Sequence, residues 1–182
     1  MAHEVRIIGG RWRRSRLPVA DRPGLRPTPS RVRETLFNWL GQELPGWHCL
    51  DAFGGSGALG FEAASRGATG VLIAERDPAL AASLRATRER LDAQAVRVVC
   101  ADGLELLRAQ PEASLDLVLL DPPFESDLLA PALEAAARVL RPGGFVHAES
   151  PRLLAEPPPG LAPWRQAQAG QVRHYLLRRN IE

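Results

Sequence analysis

The chain is expected to fold as an α/β domain, a parallel sheet covered by helices on both faces, and three observations lead there. From residue 47 to residue 149, short apolar runs alternate with helix-period segments. The first run ends in a glycine-rich turn, Gly55-Ser56-Gly57-Ala58-Leu59-Gly60, which opens the first helix of the series. The fourth ends in Asp121-Pro122-Pro123-Phe124, which continues neither strand nor helix and must leave the sheet as a stiff loop.

Ahead of the alternation, residues 5–8 and 12–17 flank Gly9-Gly10, a hairpin signal. A proline-rich connector ends in Arg26-Pro27-Thr28-Pro29, where Thr28 is placed to cap a helix with Pro29 at its first position. Val32, Leu36, Trp39 and Leu40 line one face of that helix, and Gly41 or Pro45-Gly46 stops it. The alternation predicts strands at 47–53, 71–75, 96–100, 115–120 and 145–149, with helices at 57–66, 78–92, 103–108 and 127–140. Ligands of such sheets lie at the carboxyl ends of the strands. After Ser150 the pattern breaks at Pro151, Pro157, Pro158, Pro159 and Pro163, and segments 164–167 and 172–178 read as closing strands around Gly170. A basic extension over 1–45 and a domain over 46–182 are expected to form one compact unit.

At 182 residues, with 45% hydrophobic and 24% charged residues, the chain has the make-up of a soluble globular protein with one core. No apolar run approaches the roughly 18 residues of a membrane span. Residues 1–10 are too few and too charged for a signal peptide. Cys49 and Cys100 sit in separate apolar runs and read as buried free thiols, in keeping with a cytoplasmic location. His3, His48, His147 and His174 are scattered without ligand spacing, so no metal is expected.

The net charge of +2 hides an asymmetry, because residues 1–33 hold nine arginines against Glu4 and Asp21. Clustered positive charge suits a polyanion. Within it, Arg11, Trp12, Arg13, Arg14 and Arg16 interleave an aromatic ring with cations, a pattern fitted to phosphates and an unstacked base. The alternative is a solvated strand with Trp12 packed on the core.

The glycine turn has the spacing G-x-G-x-x-G, and Glu75 follows Gly55 by 20 residues, as in dinucleotide-binding folds. It indicates an adenosine-type cofactor, with Gly55, Ser56 and Gly57 near its anionic or carboxylate end and Glu75 at the ribose. Asp51 favours S-adenosyl-L-methionine over a dinucleotide, since a carboxylate there attracts an ammonium and repels pyrophosphate. Asp102 and Gly103 form a polar turn where an adenine amine can be met. Asp121 and the proline carbonyls form a rim of acceptors beside the Phe124 ring, suited to a flat exocyclic amine on a nucleobase. Helix caps at Asp51 and Asp102, and a Glu75 ion pair with Arg76 or Arg66, are the structural alternatives.

Arg6-Ile7-Ile8-Gly9-Gly10, Arg26-Pro27-Thr28, residues 31–38, residues 50–60, Asp121-Pro122-Pro123-Phe124 and Ala169-Gly170-Gln171-Val172 resemble the bacterial 16S ribosomal RNA guanine-N2 methyltransferases of the RsmD type. The resemblance runs from the first hairpin to the last strand. It implies a Rossmann-like class I S-adenosylmethionine-dependent methyltransferase: a seven-stranded, mostly parallel sheet with an antiparallel C-terminal strand, plus a small N-terminal β-hairpin and helix. It implies methyl transfer to the N2 amine of guanine 966 of 16S rRNA in the small ribosomal subunit. Catalytic positions would be Asp121, Pro122, Pro123 and Phe124. Cofactor positions would be Arg26, Thr28, Asp51, Phe53, Gly55, Ser56, Gly57, Glu75, Arg76, Asp102, Gly103 and Asp121. Gly54 stands where the family usually has alanine and Ala52 where it has a larger apolar residue. Arg33 is open between a solvated helix face and closure over the cofactor, and Glu149 is expected in a structural salt bridge. A DNA adenine-N6 or protein amine methyltransferase, a non-catalytic RNA-binding module and a dehydrogenase are the competing readings.

Overall fold

The computed structural model describes residues 3–154 and 156–182. Met1, Ala2 and Ala155 lie outside the described residues, and with them part of the 1–10 segment considered as a leader. Strands β1 (His3–Arg6) and β2 (Arg16–Val19) pair antiparallel, and α1 (Ser30–Leu40) follows. The chain continues through β3 (His48–Asp51), α2 (Ala58–Ser65), β4 (Gly70–Glu75), α3 (Pro78–Arg90), β5 (Val96–Cys100), α4 (Gly103–Arg108) and β6 (Leu115–Leu120). It closes with α5 (Leu129–Val139), β7 (Leu140–Ser150), β8 (Leu161–Ala169) and β9 (Val172–Arg179).

The last seven strands form one sheet in the order β5-β4-β3-β6-β7-β9-β8. Neighbours from β5 to β7 run parallel, and β9 lies antiparallel between β7 and β8. This is the expected mostly parallel sheet with an antiparallel C-terminal strand. Alternate residues of β6 serve opposite faces. Leu117 and Leu119 join Phe37, Phe61, Ile73 and Leu84 on one side. Val118 and Leu120 join Leu104, Leu107, Leu133 and Ala136 on the other. Ile7, Leu17 and Leu36 share the first of these cores, so the N-terminal segment is packed into the same hydrophobic cluster as the sheet.

Helix α2 is buried along its whole length. The sheet covers one side, and the loop between β1 and β2 covers the other, through Ile8 and Gly9 N–H groups donating to Glu62 and Arg11 and Trp12 N–H groups donating to Ser65. That explains a departure from the expected hairpin. Gly9-Gly10 is not the turn; the strands pair further out, and residues 7–15 form a longer loop. Gly10, at φ +76°, lies so close to α2 that a Cβ would stand 1.9 Å from the Ser65 carbonyl oxygen. These glycines serve a close approach between elements.

Other boundaries differ for local reasons. Thr28 does not cap α1: Pro29 occupies the cap position, with no side-chain hydrogen bond. Strand β7 begins five residues early, because the register jumps from Leu140 opposite Leu115 to Phe145 opposite Leu117 and absorbs Pro142-Gly143-Gly144 as a bulge. Edge strand β8 tolerates Pro163, which needs no ladder donor there. Cys49 is buried as expected, but Cys100 is exposed, since β5 is the opposite edge of the sheet. Among the described residues no helix is long and apolar enough to cross a membrane.

Candidate active site

The strand order reverses between β3 and β6. From β3 the chain builds outward through β4 to β5, then returns to β6 and builds through β7 on the other side. A crevice opens at the carboxyl ends of strands flanking such a reversal. The register aligns Asp51 with Leu119 and Leu120 with Ala148, which sets Asp121 level with Glu149 and Asp51 two residues short of them, all three at the carboxyl ends of adjacent strands.

Thr28 joins two of these acids. Its hydroxyl lies 3.0 Å from Glu149 Oε1 and 3.4 Å from Asp121 Oδ2. Asp51 accepts the backbone N–H groups of Phe53 at 3.3 Å and of Gly60 at 3.2 Å. Burial pushes the Asp51 carboxyl up to about 7, and the neighbouring Asp121 charge adds to the shift. Burial also lifts Asp121 to about 6. Burial, then the Asp121 charge, lifts Glu149 to about 8. Among the described residues none of the three has an ion-pair partner. The salt bridge expected at Glu149 is therefore replaced by the Thr28 hydroxyl. Two buried acids and a half-buried third, none with a counter-cation among the described residues, fit a positively charged ligand and disfavour a pyrophosphate.

The glycine turn lies beside this cluster. Gly55 (φ +56°) and Gly57 (φ +80°) use backbone open to glycine, and a Cβ on Gly57 would meet Phe61 at 2.6 Å. Gly54 N–H donates to the Ala74 carbonyl. A Cβ on Gly54 would lie 2.6 Å from Ile73 Cγ2, which explains glycine rather than alanine in this chain. Glu75 accepts Gly55 N–H at 2.9 Å and Asp77 N–H at 2.8 Å, so it ties the turn to the end of β4 and pairs with neither Arg76 nor Arg66. Arg76 is exposed beside it, and Ser56 and Phe53 are half-buried along the turn. Asp102 caps α4 through Glu105 N–H, and Gly103 sits where a Cβ would overlap the Ala52 carbonyl. The connector lies over the turn, with Leu25 Cδ1 3.3 Å from the Cβ position of Gly55. An ion pair between Arg22 and Asp77, the α3 cap, clamps it there, and Arg26 is exposed on it.

Beyond Asp121 the loop turns on itself. Ser126 donates both its N–H and its hydroxyl to the Pro123 carbonyl, at 2.9 and 2.6 Å. The Pro122 carbonyl meets no protein donor among the described residues. Phe124 is 43% exposed, unusual for a large aromatic residue. With Pro122, Pro123, Glu149, Pro151 and Leu153 it lines a groove of about 400 Å³.

The arginine loop stands apart. Arg11 and Trp12 are tethered to Ser65, at the far end of α2 from the glycine turn, roughly 12 Å away for eight residues of helix. Trp12 is partly buried on the core, Arg16 pairs with Glu4 at 3.3 Å, and Arg11, Arg13 and Arg14 are exposed. Arg33 has neither expected role. It is buried, donating to the Thr28 and Arg6 carbonyls and to Glu62. Glu62 and Asp77 escape a reading by motif. Glu62 is the one charge inside the apolar stretch 57–65, and Asp77-Pro78 is a recognisable helix start, so each leaves a signal in the sequence.

The family model described as Conserved hypothetical protein 95 matches residues 5–178. Ribosomal RNA small subunit methyltransferase D of Escherichia coli strain K12 is 41% identical over 187 residues, covering 98% of this chain and 92% of that protein. The chain belongs to the ribosomal RNA small subunit methyltransferase D family. Another protein of that name, from Haemophilus influenzae, is 41% identical over 152 residues, covering 81% of this chain and 79% of its own length. The solved structure of the Escherichia coli protein yhhF superposes with a TM-score of 0.88 at 38% identity, over 99% of this chain and all of that one. The fold is thus that of a methyltransferase D family enzyme, and the chain is an RNA methyltransferase.

Proposed function

We propose that the chain transfers the methyl group of S-adenosyl-L-methionine to the exocyclic N2 amine of a guanine in 16S rRNA, the guanine-966 type of reaction, on the 30S particle. The observation that carries this reading is the placement of Asp121: it belongs to the uncompensated acid cluster through the Thr28 hydroxyl and directly precedes Pro122, Pro123 and Phe124, which line the groove. The name of the relatives, ribosomal RNA small subunit methyltransferase, supports RNA as the substrate.

Asp51 and Glu149 offer negative charge to the cofactor's ammonium and sulfonium. Glu75 has further lone pairs for ribose hydroxyls, and Asp102 and Gly103 border the adenine side. The cofactor supplies a methyl group already activated on sulfur, so the protein's task is positioning and electrostatics. Asp121 and the Pro122 carbonyl accept the two N–H bonds of the amine, turn its lone pair toward the methyl group and favour the positive charge that develops on nitrogen. Phe124 stacks on the extruded base, a contact worth roughly 1–3 kcal/mol. Arg11, Trp12, Arg13, Arg14 and Arg16 lie at the other end of α2, so they would hold a second, distant part of a large RNA.

Transfer of radiolabelled methyl groups to 30S particles, naked 16S rRNA, DNA and protein tests the reading. Label confined to 16S rRNA in particles, and mapped to guanine N2, is the expected result. Label in DNA adenine or in protein would favour the competing amine methyltransferases.

A further inference from the structure

Resting on the function proposed above, we infer that Glu149 is the residue that selects guanine, its free carboxylate oxygen accepting the N1–H of the target base beside the amine held by Asp121. Three features lead to it. Glu149 is only 4% exposed, yet it lines the same groove as Pro122, Pro123 and Phe124. Oε1 accepts the Thr28 hydroxyl at 3.0 Å, while Oε2 meets no protein donor among the described residues. The same hydroxyl reaches Asp121 at 3.4 Å, so the two carboxyl groups lie side by side and are held in one arrangement.

The chemistry of the bases supplies the rest. An acceptor rim of Asp121 and Pro122 meets any exocyclic amine and does not distinguish guanine from adenine or cytosine. The ring nitrogen next to the amine does. In guanine it is N1–H, a donor; in adenine and cytosine it is a lone pair. With the cofactor's positive charge bound beside it, Glu149 is ionised, and a second carboxylate next to the first then forms a charge-assisted bond with guanine and faces a repelling lone pair in the others. Thr28 acts as a positioning residue, since it fixes which Glu149 oxygen remains for the base.

The test compares small subunits reconstituted on rRNA carrying guanine or 2-aminopurine at the methylated position. 2-Aminopurine keeps the N2 amine and lacks the N1–H. The wild-type enzyme is expected to favour guanine in kcat/KM by on the order of 10- to 100-fold, the loss of one hydrogen bond to a charged group. Glu149→Gln should shrink that ratio to roughly threefold, because a carboxamide can turn either its oxygen or its NH2 to the ring nitrogen. A merely structural Glu149 would lower both rates and leave the ratio unchanged, which overturns the assignment. Equal wild-type rates on the two substrates overturn it without any variant. No transfer to the guanine particle at all would instead overturn the function itself, and the assignment with it.

Discussion

Arg33 Nη1 lies 3.1 Å from Glu62 Oε2, and both side chains are wholly excluded from solvent. Glu62 also accepts the Ile8 and Gly9 N–H groups and pairs with Arg66 at 3.0 Å. Arg33 donates through Nε to the Thr28 carbonyl at 3.2 Å. One ion pair thus connects the N-terminal loop, the buried helix α2 and the residue that bridges Asp121 and Glu149. Glu62→Ala is expected to cost about 3–5 kcal/mol, because it strands a buried guanidinium. Urea denaturation measures this. Arg33→Lys should also lose stability despite keeping the charge, since Arg33 uses Nε, Nη1 and Nη2 on separate partners and an ammonium cannot reproduce that fork.

Asp121→Ala separates chemistry from cofactor binding. On the proposed function the methyl acceptor loses one of two positioned acceptors, so single-turnover methyl transfer should fall by about 10²- to 10³-fold. Affinity for S-adenosyl-L-methionine, read by calorimetry, should change little, because removing the Asp121 charge lets Asp51 and Glu149 ionise more fully and keeps negative charge in the pocket. Transfer at the wild-type rate would remove Asp121 from the mechanism.

Phe124→Leu tests stacking by itself. The side chain is 43% exposed and belongs to neither hydrophobic core, so the melting temperature should hold. The loss should fall on RNA engagement, as a weaker apparent affinity for the particle worth about 1–3 kcal/mol. A variant with unchanged KM for 30S particles would mean the base does not rest on this ring.

Much of this site is legible in the amino-acid order, and the reason is periodicity. Alternating strands and helices fix which loops share an edge of the sheet, so Asp51, Gly55, Glu75, Asp102 and Asp121 fall at one edge, by their positions at the carboxyl ends of the strands. The partner of each polar side chain is not legible in the same way. Thr28 before Pro29 reads as a helix cap by local rules, yet its hydroxyl is spent on Glu149, 121 residues away. Gly9-Gly10 reads as a turn because the pressure that selects it, the Ser65 carbonyl, lies on an element 55 residues downstream of Gly10, too far for any local rule. The arginine cluster is visible as composition, but its separation from the rim by the length of α2 is a tertiary fact.

Cofactor binding should release protons. Without a cation, burial holds Asp51 near 7, Asp121 near 6 and Glu149 near 8, so at pH 7 the cluster is partly protonated. A bound ammonium and sulfonium favour the ionised forms and lower all three. The sign for stability is that of raised carboxylates: the folded, empty protein binds more protons than the unfolded chain, and stability falls as pH rises through these values. The melting-point increase on adding S-adenosyl-L-methionine should therefore grow between pH 6 and pH 8. Calorimetry in two buffers of different ionisation enthalpy should detect the protons released, and identical heats in both would contradict the uncompensated cluster.

His147 works in the opposite direction and can be separated from the acids by one substitution. It is fully buried in β7, and neither ring nitrogen has a hydrogen-bond partner among the described residues. Burial, then the charge of His174 with its ring 6.0 Å away, lowers its pKa from the usual 6.5 to about 3. The unfolded chain thus takes up a proton that the folded protein refuses, and stability is complete above pH 6.5 and drains away as pH falls toward 3. The slope from this one group approaches about 1.4 kcal/mol per pH unit. The acid cluster has the reverse slope at higher pH, so the wild-type profile alone mixes the two. His147→Leu keeps an apolar side chain in the core and removes only the imidazole titration. The difference between variant and wild type, followed by urea unfolding from about pH 7 to pH 4, should rise in favour of the variant as the solution is acidified. A difference that stays flat across that range would mean the ring is already protonated, or satisfied by a partner, inside the folded protein.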